Sequence, residues 1–288
     1  MTAKRVFLYL FLTSIALLFA LQCWTRQAEQ QVYKGPQGPR VDLTEILEKE
    51  TLSEEDYRVL FDQTGMARAG VRSLWKQGRQ WELLQVQERY FAPVQTVCRS
   101  NSVISREEKR VGESGEMCFE QVFPALEEGD VLITFNSHVA GWRCGHAALV
   151  VDVSRGQTLE ARVLGTDSGL ISLANWVDYP AVAVLRVRDL SREQRLELAR
   201  MAEEYFVGIP YRVTAVKGEV RGLEATEADF APKQPRGTHC AHLIWSIFAA
   251  AGIDTDSDGG PIVTPRDIFE SKELELIQIY GMDPPGKS

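Results

Sequence analysis

The sequence predicts an α+β chain in which a helical region leads into a small, mainly antiparallel sheet with packed helices. Two observations carry this. Between residues 42 and 91 apolar residues recur at helical spacing, whereas after Gly129 short apolar runs follow one another at strand length. The 288 residues, 44% of them hydrophobic, suffice for one sizeable core plus a smaller helical unit. The chain accordingly divides into a leading apolar segment at 1–24, a linker at 25–41, a helical region at 42–120 and an α/β region at 121–288.

At the start, Lys4 and Arg5 precede an apolar run at 6–24, about the length that crosses a bilayer. Positive charge there holds that end in the cytoplasm and sends the rest outward. An uncleaved transmembrane signal anchor is expected. A removable signal peptide is the rival, although Ala20-Leu21-Gln22 lacks a small residue at its end, and lipidation of Cys23 is a third reading, poorly matched by Leu21-Gln22. All three place the body outside the cytoplasm. Residues 25–41, with Lys34-Gly35-Pro36-Gln37-Gly38-Pro39, read as an exposed linker.

Ser53 followed by Glu54, Glu55 and Asp56 marks a helix start, and Tyr57, Leu60 and Phe61 fall on one face. A second helix is expected through Val71, Leu74 and Trp75, and a third through Trp81, Leu84 and Val86. Residues 99–116 are polar and are expected to form a loop, which a Cys98–Cys118 disulfide would close in an oxidising compartment; two buried thiols are the alternative. Strands are expected at 130–135, 146–153, 158–163 and 181–187. The run at 146–153 is almost continuously apolar, as in a strand covered on both faces. Ser191 and Gln194 make a capping box for a helix at 192–206. A last helix runs from Cys240 to about Ala251 on Leu243, Ile244, Ile247, Phe248 and Ala251, and Gly252 suits its stop.

The net charge is −8 with no basic stripe, so a nucleic-acid partner is not expected. Five cysteines leave at least one unpaired within the chain. The four histidines, His138, His146, His239 and His242, lie in two short segments that also hold Cys144 and Cys240. Cys240 begins a helix, with Thr238 as the expected cap. The free amides of that helix start favour a thiolate and can serve an oxyanion. His146, opening the buried strand, is the natural proton acceptor. A hairpin turn at Arg155-Gly156 would return Glu160 beside it to orient the ring. An amide in place of Glu160 would still hold the ring, so Glu160→Gln is expected to weaken catalysis less than loss of the thiol. Either Cys240 or His146 alone reads more simply as a packed core residue; together, beside a helix start, they read as a site.

On these residues, 126–283 resembles the circularly permuted NlpC/P60-like cysteine hydrolases of the papain-like fold, in particular the YiiX/YebB-like group. The resemblance rests on Gly129-Asp130, the strand Gly145-His146-Ala147-Ala148-Leu149-Val150-Val151-Asp152, Leu159-Glu160-Ala161, Pro210-Tyr211, and His239-Cys240-Ala241-His242-Leu243-Ile244-Trp245, with histidine before cysteine as the mark of the permutation. It implies Cys240 as nucleophile, His146 as base and Glu160 as the third polar residue. It also implies Tyr211 near the oxyanion or substrate pocket, where His239, next to the thiol, is a further candidate. The implied substrate is an amide bond in bacterial cell-wall peptides, such as a γ-glutamyl bond, with no cofactor required; acyl lipids are the alternative. Ala241 departs from the serine that many relatives carry after the cysteine. Cys144, two residues before His146, projects from the same face of an extended strand.

Asp254-Thr255-Asp256-Ser257-Asp258-Gly259 resembles the front half of a calcium loop, with Asp267 as a further ligand and Pro265 where the closing Glu would stand. An acidic turn after a helix is the plainer reading. Cys144, His146, His239, Cys240 and His242 also offer soft ligands for zinc, though at uncommon spacings and at the expense of the nucleophile. A wall-binding module that kept an enzyme fold is the non-catalytic alternative.

Overall fold

The computed structural model describes residues 3–28, 33–102, 105–112, 115, 120–139, 141–217 and 232–286. It is an α+β protein built on two antiparallel sheets. In chain order the elements are helices α1 (Ala3–Ala28), α2 (Thr44–Leu47), α3 (Glu54–Thr64), α4 (Arg68–Lys76) and α5 (Leu83–Tyr90). Strands β1 (Gln95–Ser100), β2 (Ser105–Val111), β3 (Val131–Thr134), β4 (Ser137–Val139), β5 (Trp142–Arg143), β6 (His146–Asp152), β7 (Gln157–Glu160), β8 (Gly169–Ser172) and β9 (Val182–Val187) follow. Helices α6 (Arg192–Tyr205), α7 (Cys240–Ala250) and α8 (Pro265–Phe269) precede the last strand, β10 (Leu274–Tyr280).

The larger sheet runs β10-β9-β3-β6-β7-β8. Its central strand β6 alternates between two cores. Ala147, Leu149 and Val151 pack with Leu198 and Ala202 of α6 and Leu243 and Ile247 of α7. Ala148 and Val150 pack with Leu47, Leu60, Leu74 and Leu83 of the N-terminal helices. Both faces are covered, as the unbroken apolar run at 146–153 requires. Residues 43–90 therefore form the second cover of one sheet. Gly65 ends α3 at φ +67, and a Cβ there would lie 1.9 Å from the Ile279 carbonyl oxygen. Only glycine lets the helix end approach β10 this closely.

The expected loop at 99–116 is instead a hairpin. β1 pairs with β2 from Gln95↔Val111 to Ser100↔Arg106, and β2 continues into a second sheet of order β1-β2-β4-β5. The helical region thus ends at Tyr90. Sequence pattern hid β2, whose composition Ser-Arg-Glu-Glu-Lys-Arg-Val has no apolar alternation. Its inward charges are neutralised by neighbours rather than by water. Buried Lys109 donates to Asp178 and to the Asn175 carbonyl, each at 2.7 Å, and stands 3.5 Å from the Tyr179 ring centroid. Cys98 is an exposed free thiol on β1, and its expected disulfide partner, Cys118, lies outside the described residues. The strand expected at 158–163 ends at Glu160, and β4, β5, β8, β10 and α8 come in addition to the expected elements.

The apolar run at 6–24 is helical within α1, with Phe7 and Leu17 largely exposed. Among the described residues, no helix is long and apolar enough to cross a membrane. The side chains of Leu8 and of residues 21–28 lie outside those described. Of the linker, residues 33–41 are mostly exposed yet tied down: Lys34 N donates to the Gly281 carbonyl, and Gln63 bonds Pro39 and Val41.

Asp130, fully buried at the start of β3, accepts both arms of Arg186 from β9, at 2.7 and 2.8 Å. Asp130→Asn removes the buried charge and one acceptor from that guanidinium, which keeps the Ala125 carbonyl and Glu127, so a destabilisation of about 3 kcal/mol is expected in urea unfolding.

Candidate active site

His146 opens β6 where the chain turns in from Cys144 through Gly145. Gly145 has φ +74, and a Cβ there would sit 2.9 Å from the Thr134 carbonyl oxygen, so the turn needs glycine. The hairpin turn at residues 153–156 closes with Gly156 N donating to the Val153 carbonyl. The β6–β7 register, Leu149↔Leu159, places Glu160 opposite Ala148 and so diagonal to His146 on one face. His146 Nε2 and Glu160 Oε2 are 2.7 Å apart. The other carboxylate oxygen, Oε1, accepts from Thr158 Oγ1 at 2.5 Å and Trp176 Nε1 at 2.8 Å. The Trp176 ring stacks on the imidazole, centroids 5.5 Å apart and planes 17° from parallel. Burial alone would raise the Glu160 pKa; the imidazole, Thr158 and Trp176 outweigh it and hold the group below the ordinary carboxylate value.

Cys240 is the first residue of α7, as expected, but the cap is His239 and not Thr238. His239 Nδ1 accepts from His242 N at 3.4 Å. Thr238 Oγ1 is 3.1 Å from His242 Nδ1, and the Thr238 backbone pairs with Tyr211 in a parallel bridge. Burial would raise the Cys240 pKa; hydrogen bonds and charge from His146 and His239 reverse this and bring it down to about 5. Burial would lower the His146 pKa; Cys240 and Glu160 overcome it and raise it to about 10. The two shifts describe one event, transfer of the thiol proton to the imidazole. With Nε2 held by Glu160, Nδ1 is the ring nitrogen left for the sulfur.

The pair opens into a cavity of about 720 Å³ that Cys144, Tyr211 and His239 also line. Tyr211 is held protonated, its pKa raised by burial and by the neighbouring Cys240 and Cys144, so its O–H remains a donor. Cys144 is exposed, its thiol 3.4 Å from the Trp142 carbonyl oxygen, with no helix start behind it. Of the other histidines, His138 bonds Glu108 at 3.0 Å in the second sheet, and fully buried His242 has its pKa lowered to about 4 by burial, so it is neutral. Trp176 was not foreseen, since it follows a short turn after β8 with no pattern pointing to Glu160. Thr158 stands two residues before Glu160 on one strand face, and period-two reading finds it.

The acidic loop departs from its expected arrangement. Asp254 Oδ1 accepts from Trp245 Nε1 at 2.8 Å and faces away from the other carboxylates. Oxygens of Asp256, Asp258 and Asp267 do lie within 4.8 Å of one another. Lys217 already supplies a cation to Asp256, and Asp267 accepts from Thr264 N and Oγ1 as the capping box of α8. Among the described residues this is the only group of three or more His, Cys, Asp or Glu placed to share a metal ion, so the soft set Cys144, His146, His239, Cys240 and His242 is not drawn into one. Comparison of the chain with known family models, curated proteins and solved structures gave no match.

Proposed function

We propose that the chain is a thiol hydrolase of the permuted NlpC/P60-like kind, cleaving an amide bond, with bacterial cell-wall peptides as the first substrate class. The observation that carries this reading is the placement of Cys240 and His146 in the lining of one cavity, with Glu160 bonded to the imidazole. In the proposed reaction Cys240 Sγ attacks the carbonyl carbon and the oxygen takes up negative charge beside the N-terminal amides of α7. His146 then gives its Nδ1 proton to the departing amine, leaving a thioester. Water attacks the thioester while His146 takes a proton, the carboxylic acid departs, and the thiolate–imidazolium pair is restored. Glu160 holds the ring in the Nε2–H tautomer throughout.

A second substrate class, acyl lipids, is favoured by the cavity lining. Phe135, Val139, Val213, Ile262 and Met282 line it, and Val213 and Ile262 are 59% and 49% exposed there. Export is part of the proposal: the run at 6–24 is read as an export signal, which brings the hydrolase to either substrate. No cofactor is needed by this chemistry.

The test is hydrolysis of purified wall fragments and of lipid esters by the wild-type protein and two variants. Cys240→Ala is expected to abolish turnover of whichever class is cleaved, and Cys144→Ala to keep most of it. Full activity in Cys240→Ala would remove the thiol-hydrolase reading.

A further inference from the structure

The cap of α7 is unusual in its chemistry. An N-cap is ordinarily Ser, Thr, Asp or Asn, whose side-chain oxygen accepts from the first turn. Here an imidazole does this, and the role fixes its protonation. Nδ1 accepts from the His242 amide, so it carries no proton, and in the neutral ring the proton must be on Nε2. That nitrogen is buried and has no oxygen or nitrogen partner among the described residues; the group it serves is the Cys240 sulfur, whose ionised form it favours. The residue is 8% exposed, yet it lines the cavity beside Cys240, and its proximity helps lower the thiol pKa. A buried donor beside the sulfur is placed to follow the negative charge as it moves from sulfur to the substrate oxygen.

Two other donors belong to residues that line the same cavity. The amide of Cys240, at the first position of α7, has no intrahelical acceptor. Tyr211 keeps its O–H. His242 cannot serve, because it is fully buried and does not line the cavity.

We propose that His239 is a catalytic residue, its Nε2–H donating to the substrate carbonyl oxygen as negative charge develops there, together with the Cys240 amide. This rests on the thiol-hydrolase reading and gives one residue two tasks. Nδ1 caps the helix that presents the sulfur, and that cap compels Nε2 to be the donor. The ring neither gives up nor takes a proton in the reaction; it stabilises charge and is left as it began.

The two tasks separate by substitution. His239→Ser keeps an N-cap acceptor and removes the distant donor. His239→Gln restores an N–H on a longer side chain. The probe reaction is hydrolysis of p-nitrophenyl acetate, compared with alkylation of Cys240 by iodoacetamide, a substitution at carbon that forms no oxyanion. For His239→Ser the acylation rate is expected to fall about 100-fold or more, as when an oxyanion donor is removed. Its alkylation rate at neutral pH is expected to change by no more than a few-fold, because His146 still lowers the thiol pKa, its melting temperature to stay near wild type, and His239→Gln to recover part of the acylation rate. Equal loss of acylation and alkylation in His239→Ser would overturn the proposal in favour of a role in thiol ionisation. Unchanged acylation would overturn it outright. If wild-type protein shows no acylation that depends on Cys240, the hydrolase reading itself fails, and this inference with it.

Discussion

Glu160→Gln is expected to lower the rate of thioester formation by about 10⁴-fold, the size of effect seen when a catalytic imidazole is held in the wrong tautomer. The sequence alone suggests a mild effect, because an amide can also hold a ring. The hydrogen bonds reverse that expectation. Oε1 of Glu160 receives two donors, Thr158 Oγ1 and Trp176 Nε1, and the indole can only donate. A glutamine must therefore place its carbonyl oxygen there. Its NH₂ then occupies the Oε2 position and donates to His146 Nε2 at the 2.7 Å contact. The ring has to accept at Nε2 and carry its proton on Nδ1, which faces the sulfur. It cannot take the thiol proton, and the buried thiol stays neutral. Measured kcat should fall with little change in KM, since no group that binds substrate is altered. A loss under tenfold would show that Glu160 does not set the tautomer.

His146→Ala is expected to be at least as damaging to hydrolysis, by about 10⁴-fold, because in the proposed reaction the same ring serves as base and acid in successive steps. Its effect on the thiol is separate and needs the right pH to be seen. Without the imidazolium, burial pushes the Cys240 pKa up from about 5 towards its ordinary value of 9, opposed only by His239. At pH 7 the thiolate fraction falls towards about 1%, but a thiolate of higher pKa is also the stronger nucleophile. With a Brønsted coefficient of about 0.4–0.5, four pKa units recover nearly two powers of ten. Alkylation at neutral pH would thus change by only a few-fold. At about pH 5.5 the fraction lost is larger than nucleophilicity restores, and a drop of about 50-fold is expected by the same arithmetic. Alkylation at that pH as fast as wild type would mean that another group ionises the thiol.

The contrast between these residues and their surroundings explains what the sequence reveals. Cys240, His146 and Glu160 are legible because each is tied to a local pattern: a helix start after polar residues, the mouth of an apolar strand, the return arm of a hairpin. The central strands are legible for the same reason, since β6 and β9 are apolar on both faces. β2 is not. Its Glu107, Glu108 and Lys109 are buried or half-buried against Arg162, Arg143 and Asp178 from other parts of the chain. Burial of paired charge has no periodicity of its own, and local polarity reads as a loop. The cap on α7 escapes for a related reason. Thr238 is the better capping residue by type, but its hydroxyl faces His242 Nδ1 while its backbone pairs with Tyr211, so the task falls to His239. Asp254 likewise fits a calcium loop by spacing until Trp245 claims its carboxylate.

The thiolate–imidazolium pair of Cys240 and His146 is the centre of this account, and the pH dependence of alkylation tests it most directly. Wild-type protein is treated with iodoacetamide across the range from about pH 4 to pH 10, and the label on each cysteine is quantified by peptide mass spectrometry. A folded-state pKa held below the ordinary value keeps the thiolate present above that lowered value and loses it as pH falls through it. The rate at Cys240 should therefore rise through an inflection near pH 5 and then stay level until His146 loses its proton near pH 10. Cys144, which does not begin a helix, should react only at higher pH. A Cys240 inflection at pH 8 to 9, roughly that of an unassisted thiol, or labelling at low pH confined to Cys144, would contradict the pair and the site built upon it.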